Sequence, residues 1–182
     1  VMGIRKKALM CAVTVIIGLV GVEYAGVVRT SPQGLELIGD AESCRRDPYV
    51  CPADKLTAGI GSTTGIRAGH VYSDNEIAAM WVEDIKRAER CIDRNFNGRL
   101  LTQGQFDAMT SAAFNMGCLN LMWFTDRLGV KQRTTLWRYA QEKRWPEMCN
   151  RLTDFVNAAG RKLPGLVKRR EAERLMCLTP EE

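Results

Sequence analysis

The stretch Glu42-Ser-Cys-Arg-Arg-Asp-Pro-Tyr-Val-Cys51-Pro-Ala-Asp-Lys-Leu-Thr57-Ala-Gly59-Ile-Gly61 decides how the rest of the chain is read. Ahead of it, Leu35, Ile38 and Glu42 fall at helical spacing, which predicts a helix ending at Glu42 with the carboxylate on the apolar side. From residue 43 to 72 that period is lost. Pro48, Pro52, Gly59, Gly61, Gly65 and Gly69 predict short strands and turns there. Thr57 opens a segment in which Gly59 and Gly61 permit a tight turn or a close approach of the backbone. A carboxyl, a thiol and a hydroxyl thus stand at fixed offsets across one turn.

Helices resume beyond it. Ser73-Asp-Asn-Glu76 is a capping-box pattern, and Ile77, Met80, Trp81, Ile85, Ala88 and Ile92 supply a buried face. Thr102-Gln-Gly-Gln105 repeats the device before Phe106, Met109, Ala113 and Met116. Further helices are expected from Thr134 or Thr135, from Pro146, and from Leu163 to Cys177. Upstream, residues 29 to 34 read as a linker in which Thr30 or Ser31 caps a helix with Pro32 in its first turn. Methionine and tryptophan at these spacings are core residues. The fold class expected is α+β, a small β-hairpin lobe and a larger helical lobe with a cleft between them.

The net charge of +5 is partly terminal: Arg5, Lys6, Lys7 and Arg29 against Glu23 give +3. The remaining +2 leaves no strong nucleic-acid footprint. Arg5-Lys6-Lys7 precedes the apolar run Ala8 to Val22, the pattern of an export signal with its charged end held inside. A cleaved signal peptide is one reading, but Glu23-Tyr24-Ala25 puts a glutamate where a small residue is wanted. Ala8, Ala12, Gly18, Gly21, Ala25 and Gly26 dilute the run, and full spanning takes about 20 strongly apolar residues. A weak, retained anchor able to leave the bilayer is expected over residues 1–28, ahead of a catalytic domain at 29–182.

Cysteine content points to an oxidising compartment, the periplasm. Cys11 lies in the apolar segment; Cys44, Cys51, Cys91, Cys118, Cys149 and Cys177 lie in the body. Their spacing does not choose a pairing. No Cys-x-x-Cys occurs and His70 is the only histidine, so neither a metal nor another cofactor is expected.

Taken in order, Gly34-Leu-Glu-Leu-Ile-Gly-Asp-Ala-Glu42, Thr57-Ala-Gly-Ile-Gly61, Phe106-Asp-Ala-Met-Thr-Ser-Ala-Ala-Phe-Asn115-Met-Gly117 and Gly165-Leu-Val-Lys-Arg-Arg-Glu171 resemble the phage-type lysozymes. The chain looks most like their signal-anchor-release endolysins, the subgroup with cysteine at the aspartate position. Two departures from the wider family stand out: Cys51 replaces the usual aspartate, and Ser62 follows Gly61 where many relatives have histidine.

The resemblance implies Glu42 as general acid, Thr57 as the residue that positions the attacking water, and Cys51 at the place of the water-polarising group of an inverting glycosidase. Asp47 and Asp54 are nearby carboxylates, though neither has the matching offset, and a purely structural Cys51 stays open. Asn115, Arg169 and Arg170 are candidates for the substrate cleft. Alternatively, Asn115 caps or bridges, and the arginines form a solvated basic face with Glu171 and Glu173 adding helix pairs. His70 is expected to be exposed.

A disulfide between Cys44 and Cys51, seven residues apart, would consume Cys51 and silence the enzyme. Cys11, once out of the bilayer, could attack Cys44 and release Cys51. Cys91, Cys118, Cys149 and Cys177 would then form two structural pairs. The expected activity is cleavage of the β-1,4 link between N-acetylmuramic acid and N-acetylglucosamine for host lysis. The expected partners are peptidoglycan strands and the host inner membrane through residues 8–28; a monomer that binds no nucleic acid is expected. The protein would sit on the periplasmic face of that membrane when inactive and in the periplasm after release. A lytic transglycosylase and a non-catalytic wall-binding membrane protein are the alternatives.

Overall fold

The computed structural model describes residues 8–51, 54–158 and 160–180. The chain divides into two compact units, Val1–Val27 with Gly39–Asp84, and Val28–Ile38 with Ile85–Glu182.

In the first unit, helix α1 (Val13–Glu23) precedes strands β1 (Arg45–Val50) and β2 (Leu56–Gly59), which form an antiparallel hairpin. Helix α2 (Pro32–Asp40), between α1 and β1 in the chain, belongs to the second unit up to Ile38. Val50 pairs with Leu56 and Tyr49 with Thr57, but the register shifts before Arg45 meets Gly59. Pro48 falls in that irregular stretch; it has no N–H to give the ladder. Beyond β2 the chain turns back so sharply that Ala58 and Ser62 exchange both backbone hydrogen bonds at 3.0 Å. Gly59 and Gly61 make the turn with φ of +62° and +77°, values costly for any residue with a Cβ.

The apolar N-terminal run is folded onto this unit. Residues 9–11 lie antiparallel to 44–46, with Met10 opposite Arg45. Helix α1 follows, burying Ile16 and Val20 one turn apart while Val15 and Val22 stay exposed. Eleven helical residues span about 16 Å, half of the ~30 Å hydrocarbon core of a bilayer. Among the described residues no helix is long and apolar enough to cross a membrane. Arg5, Lys6 and Lys7 lie outside the described residues.

The second unit is helical. Its core holds Ile92, Phe96, Phe106, Met109, Ala112, Leu121, Leu136, Met148 and Leu152, all without exposure. Helix α3 (Asp74–Asn95) runs into it from the first unit; α4 (Gln103–Met116), α5 (Cys118–Met122), α6 (Thr135–Gln141), α7 (Trp145–Asn150) and α8 (Pro164–Leu178) follow. The expected caps are in place. Ser73 and Glu76 close α3 reciprocally, Thr102 and Gln105 do so for α4, and Thr134 Oγ accepts the Trp137 amide. Two short hairpins interrupt the helices: β3 (Trp123–Thr125) with β4 (Lys131–Arg133), and β5 (Asn157–Ala158) with β6 (Arg161–Lys162).

The linker at 29–31 is fastened within this unit. Arg29 donates to the carbonyls of Gly98 and Leu101 and lies over the Phe106 ring at 3.8 Å. Thr30 gives its N–H and hydroxyl to Glu89, both at 2.7 Å, and Ser31 gives both to Asp107. Burial pushes the Asp107 carboxyl up, against those hydrogen bonds.

Candidate active site

Glu42 is not the last residue of its helix. Helix α2 ends at Asp40, and Glu42 follows in a turn closed by its own N–H on the Gly39 carbonyl at 3.1 Å. Such tightening is how a helix end satisfies its last carbonyls. The half-buried Glu42 side chain faces Gly61: a Cβ there would stand 3.6 Å from Glu42 Oε2. The glycine turn after β2 thus leaves room beside the carboxyl.

Cys51 and Thr57 are tied to one carbonyl at the closed end of the hairpin. The Lys55 carbonyl accepts the Cys51 N–H at 2.9 Å and the Thr57 hydroxyl at 3.0 Å, so one oxygen fastens both. Thr57 is 2% exposed, and its oxygen keeps lone pairs with which to accept from water. Cys51 is half-buried and lies outside all three disulfides. Pro52 and Ala53 in this loop lie outside the described residues.

The two alternative carboxylates are placed differently. Asp54 is exposed in the hairpin turn with φ of +57°, its N–H on the Cys51 carbonyl. Asp47 is held by Arg45, Nε to Oδ1 at 3.1 Å and Nη2 to Oδ2 at 2.6 Å, and also accepts the Leu9 N–H at 2.7 Å. The Arg45 guanidinium above all holds its carboxyl down at about 2, against the opposing effect of burial, with the Leu9 amide adding less.

Disulfides join Cys11 to Cys44, Cys91 to Cys118 and Cys149 to Cys177. The last two tie α3 to α5 and α7 to α8 within the helical unit. Closing loops of this length removes about 3–4 kcal/mol of chain entropy from the unfolded state.

Arg169 and Arg170 do not form a solvated basic face. They are 7% and 0% exposed, because α8 packs this side against α4. Both converge on Glu173, itself wholly buried: Arg170 Nε lies 2.9 Å from Oε2, Arg169 Nε lies 3.3 Å from Oε1, and Ser111 donates to Oε1 at 2.7 Å. Burial pushes Glu173 up and Arg170 down, and their mutual attraction opposes both shifts. Arg170 also donates to the amide oxygen of exposed Asn115 at 3.1 Å, so Asn115 sits on a fixed base. Arg170 itself reaches no solvent. The sequence offers Glu173 as a helix partner of these arginines, but on a solvated face; the burial of the group is what sequence reasoning missed.

His70 is likewise not simply exposed. Its Nε2 meets Glu76 at 2.8 Å and its ring sits edge-on to Tyr72. Glu76, bonded first by the Ser73 backbone and then by His70, is held at about 2.

A glutamate in the turn after a short helix, a β-hairpin carrying threonine near its closed end, and a disulfide-tied helical unit agree with the lysozyme-like fold expected from the sequence. A sequence model of the phage lysozyme family matches residues 39–173, and the chain belongs to that family. It is 49% identical over 171 residues to the SAR-endolysin of Escherichia phage P1, covering 93% of this chain and 91% of that protein. With the SAR-endolysin of Haemophilus phage HP1 it shares 42% over 151 residues, 82% of this chain and 81% of that one. The crystal structure of the active form of the P1 phage endolysin Lyz superposes with a TM-score of 0.89 at 47% identity, covering 94% and 96% of the two chains. The secreted inactive form of that endolysin gives 0.63 at 49% identity, covering 82% and 95%. The fold is lysozyme-like, and the chain is an endolysin of the lysozyme (muramidase) class, with peptidoglycan as its substrate.

Proposed function

We propose that this muramidase is made silent and becomes active by exchanging one disulfide for another after its N-terminal segment leaves the host inner membrane. The observation that carries this reading is the Cys11–Cys44 disulfide, which leaves Cys51 beside Thr57 outside any disulfide. The higher TM-score to the active than to the secreted inactive P1 endolysin supports it. In the silent state Cys44 pairs with Cys51. Residues 8–28 then anchor the chain in the inner membrane, facing the periplasm, and after release the enzyme is a soluble periplasmic monomer.

In the active state Glu42 protonates the glycosidic oxygen of the β-1,4 link between N-acetylmuramic acid and N-acetylglucosamine. Thr57 accepts a hydrogen bond from the attacking water, and Cys51 polarises it from the position at the end of β1. Asn115, steadied by Arg170, contacts the glycan. The test is wall digestion by the released full-length chain and by Glu42→Gln, with products read by mass spectrometry. Hydrolysis gives reducing ends that Glu42→Gln does not produce; anhydro ends, or an equally active variant, refute the assignment.

A further inference from the structure

Residues 9–11 dock on β1 by strand addition, and the join is short. Arg46 N–H donates to the Leu9 carbonyl at 2.7 Å, and Cys11 N–H donates to the Cys44 carbonyl at 3.1 Å. With Met10 opposite Arg45, Cys11 faces Cys44, their Cα atoms 5.1 Å apart, as directly opposed residues of antiparallel strands are. The next ladder bond is missing. The Arg46 carbonyl accepts from the Tyr72 N–H at 3.0 Å, and the Leu9 N–H turns to Asp47 Oδ1 at 2.7 Å. Arg45 grips both oxygens of that carboxylate and lies over the Tyr49 ring at 4.8 Å, so groups of β1 itself orient the acceptor.

From this we infer that Asp47 is a positioning residue for the disulfide exchange: it catches the Leu9 amide and so fixes the register that sets Cys11 against Cys44. The inference rests on the exchange proposed above. A slip of one residue would bring Met10 opposite Cys44 and turn the Cys11 side chain to the other face. Two backbone bonds specify register weakly; a charge-assisted third bond at the outer end specifies it well. With the segment seated, the Cys11 thiolate attacks Cys44 Sγ, the new bond forms, the Cys44–Cys51 bond breaks, and Cys51 departs as the thiolate. Electrons balance without an external oxidant. Asp47 thereby serves activation, not glycan cleavage, despite lying between Glu42 and Cys51 in the sequence.

The test uses the full-length chain held in detergent micelles with Cys44–Cys51 formed, then diluted out of detergent and quenched with N-ethylmaleimide at intervals. Peptide mapping measures each disulfide. Asp47→Ala should form Cys11–Cys44 about tenfold more slowly than the parent and yield more Cys11–Cys51. Asp47→Asn, which keeps an acceptor oxygen, should fall between. Dithiothreitol should reduce Cys44–Cys51 in Asp47→Ala at the parent rate, showing an intact hairpin. Exchange in Asp47→Ala as fast and as selective as in the parent overturns the inference alone, as does equal slowing of the dithiothreitol reaction. A parent that never holds Cys44–Cys51 overturns the exchange itself and this inference with it.

Discussion

Replacing Glu173 by glutamine changes one atom and leaves a buried guanidinium without its countercharge. Arg170 and Glu173 have side chains with no exposure; Arg170 Nη2 donates to Oε1 at 2.9 Å, its Nε forms an ion pair with Oε2 at 2.9 Å, and Arg169 adds a second cation at 3.3 Å. Glutamine keeps the shape and one carbonyl oxygen, so neither packing nor the Ser111 hydrogen bond accounts for much of the loss. Removing one partner of a buried pair costs about 3–5 kcal/mol. Against a total stability of roughly 5–15 kcal/mol, that is a large share. For a chain of this size each kcal/mol moves the midpoint by about 2–4 °C, so Glu173→Gln should melt on the order of 10 °C below the parent in a circular dichroism scan. Arg169→Met and Arg170→Met combined with Glu173→Leu should recover most of the loss, since a packed apolar cluster replaces a buried ionic one at little cost. A glutamine variant melting within about 2 °C of the parent would refute the reasoning. It would mean that Glu173 is already neutral in the fold, and that burial outweighs both arginines.

Glu42→Gln should lower wall-lytic rate by about 100-fold or more while leaving the melting midpoint unchanged, measured by turbidity loss of permeabilised cells and by calorimetry. Gly39→Ala tests the seating of α1, because a Cβ at Gly39 would run into Val13. A helix-interior glycine normally gains about 1 kcal/mol on becoming alanine. Here denaturant unfolding should show a loss of about 1–3 kcal/mol. Acid should loosen residues 9–11: Asp47 has a lowered folded-state value of about 2, so its contribution is present above the usual carboxylate range near 4 and is lost as pH falls through about 2. Amide exchange at Leu9 and Cys11 should rise over that window in the parent, and Asp47→Ala should show no such step.

Much of the helical unit was legible because its caps are local chemistry. The Ser73–Glu76 and Thr102–Gln105 boxes and the Thr134 cap each name a helix start within four residues. The β1–β2 hairpin was legible from prolines and glycines. The Trp123–Thr125 and Lys131–Arg133 hairpin was not, since three-residue strands carry too little alternation to stand out. Glu42 shows the usual error at a boundary: apolar spacing continues past the point where backbone bonding stops. Arg169 and Arg170 show a different one. Sequence gives charge but not burial, and only the pairing with Glu173 lets two guanidinium groups go inside. The disulfide partners depend on distances the spacing does not encode, which is why Cys91–Cys118 and Cys149–Cys177 emerged only with the fold.

The most direct measurement of the switch is lytic activity against disulfide state in one preparation of the full-length chain, as it passes from Cys44–Cys51 to Cys11–Cys44. Lysis rising in step with the Cys11–Cys44 fraction, and absent from Cys11→Ser that retains Cys44–Cys51, is the expected result. Equal lysis from chains whose Cys51 is still locked to Cys44 would contradict it.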